Sequence, residues 1–424
     1  ALLDSVRWTL NDFMRWVSSD QSRTQYKFLL EQYDVSTTNI PKSTQQMIYY
    51  PTNQIRVPVN KENVLKSGVV KPEDAELIVD YIDIDLPTSG LYKNRLMMLD
   101  ILHNNDWERP IYFTGGSYDD SEYFWMKDYL QLDGLVYKLV PIKTPIDPNN
   151  PYQMGRIDAN QMYDIVMKWD WGNSDSPDIY HDPETRKNSI SFRSNITRLA
   201  NALIEDKQVE KAITVLDLAM DKMPIESFGY YSLVTPIASA YYRAGATEKA
   251  QQIVQKLAAG YHEYMRYYAQ WDNDDQLALM EDLVGNVERY KSLLTEVVQA
   301  RDYETLAAIY NRFYESILPF SYIYGKYDFY TELTPFVAGL YAADQLELAR
   351  ELSGHIAQQY IDLLNRFLTL EEEQLRYFEM EIGIEVEAYK SLVSTIKRNE
   401  TDSEVIEEVQ NTYSETVGQF AFLD

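Results

Sequence analysis

The 424-residue chain has no cysteine. Disulfides, thiolate metal sites and cysteine nucleophiles are excluded, while the compartment stays open, since a protein can work in an oxidising space without disulfides. Histidine is scarce as well. His103, His181, His262 and His355 are too scattered for a local zinc motif, and none lies near a G-x-S-x-G elbow. Basic residues are outnumbered, 39 against 66 acidic ones, for a net charge of −27. That balance disfavours nucleic-acid backbones and docking on anionic lipid, and it favours solubility. No run of 18 or more residues is apolar enough to span a bilayer as a helix. No signal peptide is visible. The chain opens directly on a helix-like run, ALLDSVRWTLNDFMRWV, an abrupt start that suggests a piece of something longer.

What is abundant is tyrosine, 35 residues against 14 Phe and 7 Trp. Tyr has an apolar body and a polar tip, which suits half-buried positions along helix faces; a carbohydrate platform is the functional alternative. The periodicity predicts a helix from Asp4 to Val17, short strands at 47–50 and 54–59, and a helix start at Lys71-Pro-Glu-Asp. A half-solvated strand follows at 78–86, then a helix at 91–103 and strands at 110–114 and 135–141. Residues 1–144 thus read as a mixed α/β domain. Residues 145–193, rich in Pro, Asp and Asn, read as a linker with one helix near 159–168.

From Ser194 the pattern is helical. Residues 195–224 resemble a tetratricopeptide hairpin, with Leu199, Ala200, Leu203, Ala212, Leu216 and Ala219 at inward positions and Pro224 closing the unit. An internal duplication with an offset of 99 residues follows. Thr235-Pro236 matches Thr334-Pro335, Tyr261 matches Tyr360, and VERYKSLLTEV from Val287 matches VEAYKSLVSTI from Val386. The expected fold class is therefore α+β: the mixed N-terminal domain, then an all-α tetratricopeptide-like repeat domain at 194–424, with modules at about 228–326 and 327–424.

Candidate sites divide between the two regions. In the first, Thr114-Gly115-Gly116-Ser117 after a strand could present backbone N–H groups to an anion or simply reverse the chain. Asp119, Asp120 and Glu122 could hold a hard cation, or could sit as acids near a helix start. Arg109 opens a strand near Asp106, Glu108, Asp128 and Asp133; a clamp onto a carboxylate or carbonyls is expected, with an anion site as the alternative. Tyr112, Trp125 and Tyr129 complete the candidate binding set. Trp169 and Trp171 could stack on a sugar or pin the linker to a domain. In the repeats, Tyr230, Tyr231, Tyr241, Tyr242, Tyr261, Tyr264, Tyr267 and Tyr268 either line a groove or pack between layers. With 66 acids, carboxylate pairs of the glycosidase kind carry no signal without geometry. No catalytic, metal or cofactor residue is assigned.

NNDWERPIYFTGG at 104–116 and DYLQLDGLVYKLVPIK at 128–143 resemble a family of multi-pass membrane proteins abundant in Bacteroidetes. That family has a glycosyltransferase-C-like N-terminal half and is related to an animal transmembrane protein O-mannosyltransferase. YYPTNQIRVPVNKENVLKSGVV and SSDQSRT are also similar to it. The resemblance implies that Trp107, Arg109, Pro110, Tyr112, Tyr129, Leu130, Gly134, Tyr137 and Pro141 belong to a shared fold. The family's catalytic acid is expected between its transmembrane helices, so no catalytic residue carries over. The implied role is a non-catalytic region at the periplasmic face of the inner membrane, without cofactor. Its expected partners are its own upstream transmembrane region and an acceptor protein or glycan, with no nucleic acid and no direct lipid insertion. The alternative is a free-standing periplasmic or surface protein that binds or processes glycans.

Overall fold

The computed structural model describes residues 7–19, 52–86, 91–114, 124–146, 154–320 and 333–420. The fold is α+β, with two small sheets near the N-terminus and helices thereafter. Two compact units emerge, Ala1–Ser174 with Ser194–Val215, and Asp175–Arg193 with Leu216–Asp424.

In the first unit, β1 (Trp8–Thr9) pairs parallel with β2 (Gln54–Pro58), which pairs antiparallel with β3 (Tyr81–Asp85). The first helix, α1 (Leu10–Val17), therefore starts later than its periodicity suggests. Trp8 and Thr9 are drawn into the ladder, and the Thr9 hydroxyl caps the helix by accepting from Asp12 N–H at 3.2 Å. Strand alternation sorts the side chains. Ile55, Val57, Ile82 and Ile84 enter the core with Leu10, Phe13 and Leu99. Arg56 and Asp83, opposite each other on the other face, form a bidentate pair at 2.8 and 3.0 Å. The Arg56 hydrogen bond holds the Asp83 carboxyl below its usual range. Two helices, α2 (Lys61–Lys66) and α3 (Lys93–Asn105), complete this layer; the Lys71-Pro-Glu-Asp start becomes a 3-10 turn, Pro72–Leu77. The strand expected at 47–50 lies outside the described residues.

The second sheet is an antiparallel set in the order β4 (Tyr112–Thr114), β6 (Val136–Leu139), β5 (Leu130–Asp133). The periodicity missed β5. Its signal was Gly134, which opens a two-residue hairpin loop, Gly134-Leu135, between alternating runs. Gly134 has φ +70°, and a Cβ there would stand 3.0 Å from the Trp169 ring. Trp169 thus pins residues of the expected linker onto this sheet. The chain from Met154 does the same: Leu132 N–H donates to Arg156 O at 2.8 Å and Arg156 N–H to Leu130 O at 2.9 Å. Ion pairs Arg156–Asp74 and Lys71–Asp158, each 2.7 Å, tie that strap down, and α4 (Ala159–Val166) follows. The compact units therefore do not break where the composition does.

A long helix, α5 (Pro183–Glu205), starts well before Ser194. The overlooked signal was Asp182-Pro183: Pro suits the first turn, and the Asp182 carboxylate accepts from the N–H groups of Glu184 and Thr185. Next come α6 (Val209–Lys222) and the short α7 (Ile225–Phe228). The six inward positions from Leu199 to Ala219 are all fully buried. Arg193, also fully buried, donates to Met223 O at 2.8 Å and Gly229 O at 2.6 Å, placing a cation at two helix C-termini.

The duplication is written into the elements. The first module holds α8 (Thr235–Arg243), α9 (Thr247–Tyr268), α10 (Asn273–Ala278), α11 (Met280–Gln299) and α12 (Tyr303–Ile317). The second holds α13 (Thr334–Ala342), α14 (Leu346–Phe367), α15 (Glu372–Tyr377), α16 (Glu379–Asn399) and α17 (Ser403–Val417). Corresponding helices start 99 residues apart through α11 and α16; one extra residue makes the last pair 100 apart. Pro236 and Pro335 are second residues of equivalent helices, and Tyr290 and Tyr389 are buried at equivalent places.

Four hairpin turns share one geometry. Lys207, Gly245, Arg301 and Asp344 adopt positive φ, each the second residue past the end of a helix. In each, the next N–H reaches back five residues, as Ala246 N–H does to Tyr241 O at 2.9 Å and Asp302 N–H to Val297 O at 3.2 Å. The α16–α17 turn uses a carboxylate instead. Glu400, 5% exposed, accepts from Arg350 at 2.8 and 3.0 Å, from Tyr341 Oη at 3.2 Å, and from the N–H groups of Thr401 and Asp402.

The Arg350 hydrogen bond, followed by those backbone donors, holds the Glu400 carboxyl down to about 2, against 4.5 ordinarily. A depressed carboxylate stabilises the fold above its unfolded pKa, and that contribution is lost as the pH falls from 4.5 towards 2. Glu400→Gln should destabilise the second unit by roughly 3 kcal/mol at neutral pH, allowing for the partly exposed arginine. It should also flatten the acid limb of the stability curve. Urea unfolding at neutral pH and near pH 3 measures both; equal acid sensitivity in variant and parent would contradict the assignment.

Candidate functional site

The candidate residues of the first unit fall into different settings. Arg109 is exposed, and its carbonyl accepts from Asn105 Nδ2 at 2.8 Å. The expected buried clamp is not what forms, for two reasons. Asp106 and Trp107 both have positive φ, which turns the chain so that Trp107 enters the core and its indole N–H donates to Pro58 O at 3.0 Å. The acids expected around Arg109 are also engaged elsewhere: Asp106 accepts from Asn60 and Asn63 at 2.8 and 3.0 Å, and Asp133 is buried with Lys138.

Tyr112 is half exposed on the edge strand β4; the partial burial of its hydroxyl, then the Asp133 charge, raises its pKa. Tyr129 is buried in the core, and burial raises its pKa too. Gly115, Gly116, Asp119 and Asp120, with Ser117 and Glu122, lie outside the described residues. Trp125 belongs to the 3-10 turn Phe124–Tyr129, and its side chain also lies outside the description.

A buried polar group went unread in the sequence. Lys138 Nζ lies 3.1 Å from Asp133, both side chains 2% exposed. Gln131 and Gln161 each donate to the same carboxylate, at 2.9 and 3.1 Å. The legible hint was Gln131-x-Asp133, two polar residues on one strand face, with Lys138 opposite Gln131 on the next strand. Because its partners are built in, this group fixes the sheet and α4.

The second unit offers open space. Two cavities of about 490 and 530 Å³ flank the α11–α12 turn and share Arg301 and Asp302. One is lined further by Ser239, Tyr242, Arg243, Thr247, Glu296 and Gln299, the other by Tyr303, Glu304, Asp344 and Gln345. Asp302 accepts from Tyr242 Oη at 2.8 Å, Gln251 Nε2 at 2.9 Å and Thr305 N–H at 3.2 Å. Burial alone would raise its pKa, but these donors together outweigh it and hold the carboxyl low. Burial, then Asp302, pushes the Tyr242 hydroxyl far up, so it remains a donor. The cavities therefore carry a fixed hydroxyl and carboxylate, Tyr242 and Asp302, with the amides of Gln299 and Gln345 and the guanidinium of Arg301 on their walls.

His262 Nδ1 is 2.7 Å from Ser316 Oγ, the spacing of a base and a nucleophile. The hydroxyl, however, is buried and donates to Arg312 O at 2.6 Å, so its proton is already committed. His355 stacks on Tyr314, with ring centroids 5.4 Å apart. Among the described residues, no three His, Asp or Glu side chains gather as a metal-ligand set. Among them, too, no helix is long and apolar enough to cross a membrane.

Residues 3–161 match the family model described as TMEM260-associated domain 2. The match spans both sheets and contains every segment that carries the sequence resemblance. It is consistent with a TMEM260-like, O-mannosyltransferase-related family, and it suggests a companion region of a glycosyltransferase-like membrane protein. No curated protein and no solved structure matches the chain.

Two substitutions separate scaffold from surface in the first unit. Asp133→Ala should strip Lys138 of its buried partner and cost roughly 3–5 kcal/mol. The double variant Asp133→Leu with Lys138→Met should recover most of that. Arg109→Ala should stay within about 0.5 kcal/mol of the parent. Thermal unfolding ranks the three variants, and a double variant no better than Asp133→Ala would refute the pairing.

Proposed function

We propose that this chain is the non-catalytic, periplasm-facing companion region of a TMEM260-like membrane glycosyltransferase, and that it binds or orients the acceptor, a protein or its glycan. The observation carrying this reading is the match of residues 3–161 to the TMEM260-associated domain, in a chain that continues into repeated helical hairpins with open polar cavities. The residues of that match with defined roles are scaffold: Trp107 anchors α3 to β2, and Gly134 turns the β5–β6 hairpin. The cavities supply what recognition needs. Asp302 is an ionised acceptor held in place, Tyr242 a fixed phenol, and Arg301 an exposed donor at the turn. Such groups can hydrogen-bond sugar hydroxyls or peptide amides without performing chemistry on them. The family resemblance supplies the periplasmic face, and the net charge of −27 suits a region that stands off anionic lipid.

Two measurements test this. The reading frame upstream of Ala1 should encode several apolar segments of about 20 residues; a signal peptide there would favour a free-standing glycan-binding protein instead. The purified chain should bind mannosylated glycopeptides saturably without turning over lipid-linked sugar donors. Arg301→Ala should weaken that binding about tenfold, equivalent to about 1.4 kcal/mol, and leave the melting temperature unchanged. Sugar transfer by the chain alone would overturn the non-catalytic assignment.

A further inference from the structure

Each module carries the same kind of exposed corner. The long helix runs far past its hairpin partner, since α9 has 22 residues against nine in α8, and α14 has 22 against nine in α13. The overhang, the short helix after it and the start of the next long helix form the corner. In the first module Tyr264, Tyr267, Trp271 and Leu277 are 40–52% exposed. In the second, Tyr377, Met380 and Ile384 are 60–83% exposed. These are built surfaces. Tyr267 packs edge-on to Tyr268 and Trp271 at 5.9 and 5.7 Å, and buried Gln276 donates to the carbonyls of Tyr268 and Trp271 at 3.2 and 2.8 Å. In the second corner Phe378 lies 5.9 Å from Phe367 and 5.2 Å from Tyr377. Both corners are acidic: six carboxylates against one arginine between residues 263 and 282, and six against two between 362 and 381.

We propose that the two corners are docking sites for basic, apolar polypeptide segments, one lysine- or arginine-rich amphipathic stretch on each. Contiguous exposed apolar surface marks an interaction site, and here its charge selects the partner. A second copy of the chain would bring like charge, and anionic lipid would be repelled. A neutral glycan needs a platform of ring faces to stack on, yet the exposed side chains of the second corner offer one ring, Tyr377, beside the aliphatic Met380 and Ile384. What the two corners share is apolar surface within a negative rim, which suits apolar side chains flanked by cations; the Tyr and Trp faces add cation–π attraction. This deepens the acceptor-binding reading by naming a protein partner, but it does not require the cavities at Arg301.

Calorimetric titration of the whole chain with a leucine–lysine amphipathic peptide about five helical turns long tests the proposal. Two sites per chain are expected, weakening about tenfold from low to high salt, with no binding of the leucine–glutamate counterpart. Tyr267→Ser with Trp271→Ser should remove one site, and Met380→Ser with Ile384→Ser the other, with melting temperatures unchanged. A stoichiometry unmoved by either pair would overturn the proposal, as diffuse attraction to an acidic surface. Salt-insensitive binding of a neutral mannose oligosaccharide that these variants abolish would also overturn it, in favour of a glycan surface. Arg301→Ala should leave peptide binding intact. If it abolishes that binding instead, the corners are refuted while acceptor binding in the cavities stands.

Discussion

The helical modules depend on a tyrosine hydroxyl placed against a carboxylate in the turn of the following hairpin. Tyr242 donates to Asp302, and 99 residues later Tyr341 donates to Glu400. The acid does two jobs at once. Asp302 accepts from Thr305 N–H and so caps α12 while it receives Tyr242 and Gln251 from the previous hairpin. In the second module these jobs are divided: Glu400 takes Tyr341 and Arg350, while Asp402 caps α17. Position 350 stands where position 251 stood, and a neutral amide has become a guanidinium. The joint is thus kept in outline and strengthened in charge, and it sets where one hairpin meets the next.

Behind that joint the rings stack inward. Tyr261 lies 5.6 Å from Tyr290, which meets Phe313 edge-on at 5.1 Å; in the second module Tyr360 lies 5.2 Å from Tyr389, which meets Tyr413 at 5.2 Å. The joint needs a ring with a polar tip, whereas the column needs the ring alone, as Phe313 shows. The turns add a constraint of their own. Glycine fits a positive φ without cost, but three of the four shared turns use Lys207, Arg301 or Asp344, at roughly 1 kcal/mol each. At Arg301 the strained turn carries a guanidinium between two cavities, which glycine could not supply.

Much of this was legible in the chain, and what was not has physical causes. The 99-residue duplication could be read because buried positions repeat in a fixed order, so Tyr261 and Tyr360 mark the same place. The β2 and β3 strands could be read because Ile55–Val57 and Ile82–Ile84 alternate with charge. Other features depended on distant partners. Trp8 and Thr9 leave a helical pattern only because β2 offers a ladder. Arg109 looked like a clamp because acids surround it in sequence, whereas Asn60, Asn63 and Lys138, from elsewhere in the chain, take Asp106 and Asp133. The Lys138–Asp133 pair is local, on the two strands of the β5–β6 hairpin, and went unread because β5 itself was not expected.

Tyrosine shows where residue type stops informing and facing begins. Tyr261 and Tyr264 lie one turn apart on α9 with the same chemistry, yet Tyr261 is 1% exposed and Tyr264 46%. Periodicity gives the face on which a side chain sits. Met265, one turn beyond Tyr261 on the same face of α9, is 1% exposed, so that face stays covered past Tyr264 even though α8 ends after nine residues. Tyr264 sits on the flank of the seam and stays in solvent. On α14 the equivalent place of Tyr261 is again a buried tyrosine, Tyr360, while position 363 is a leucine. The seam is therefore what the duplication keeps, and the surface tyrosine beside it belongs to the first module.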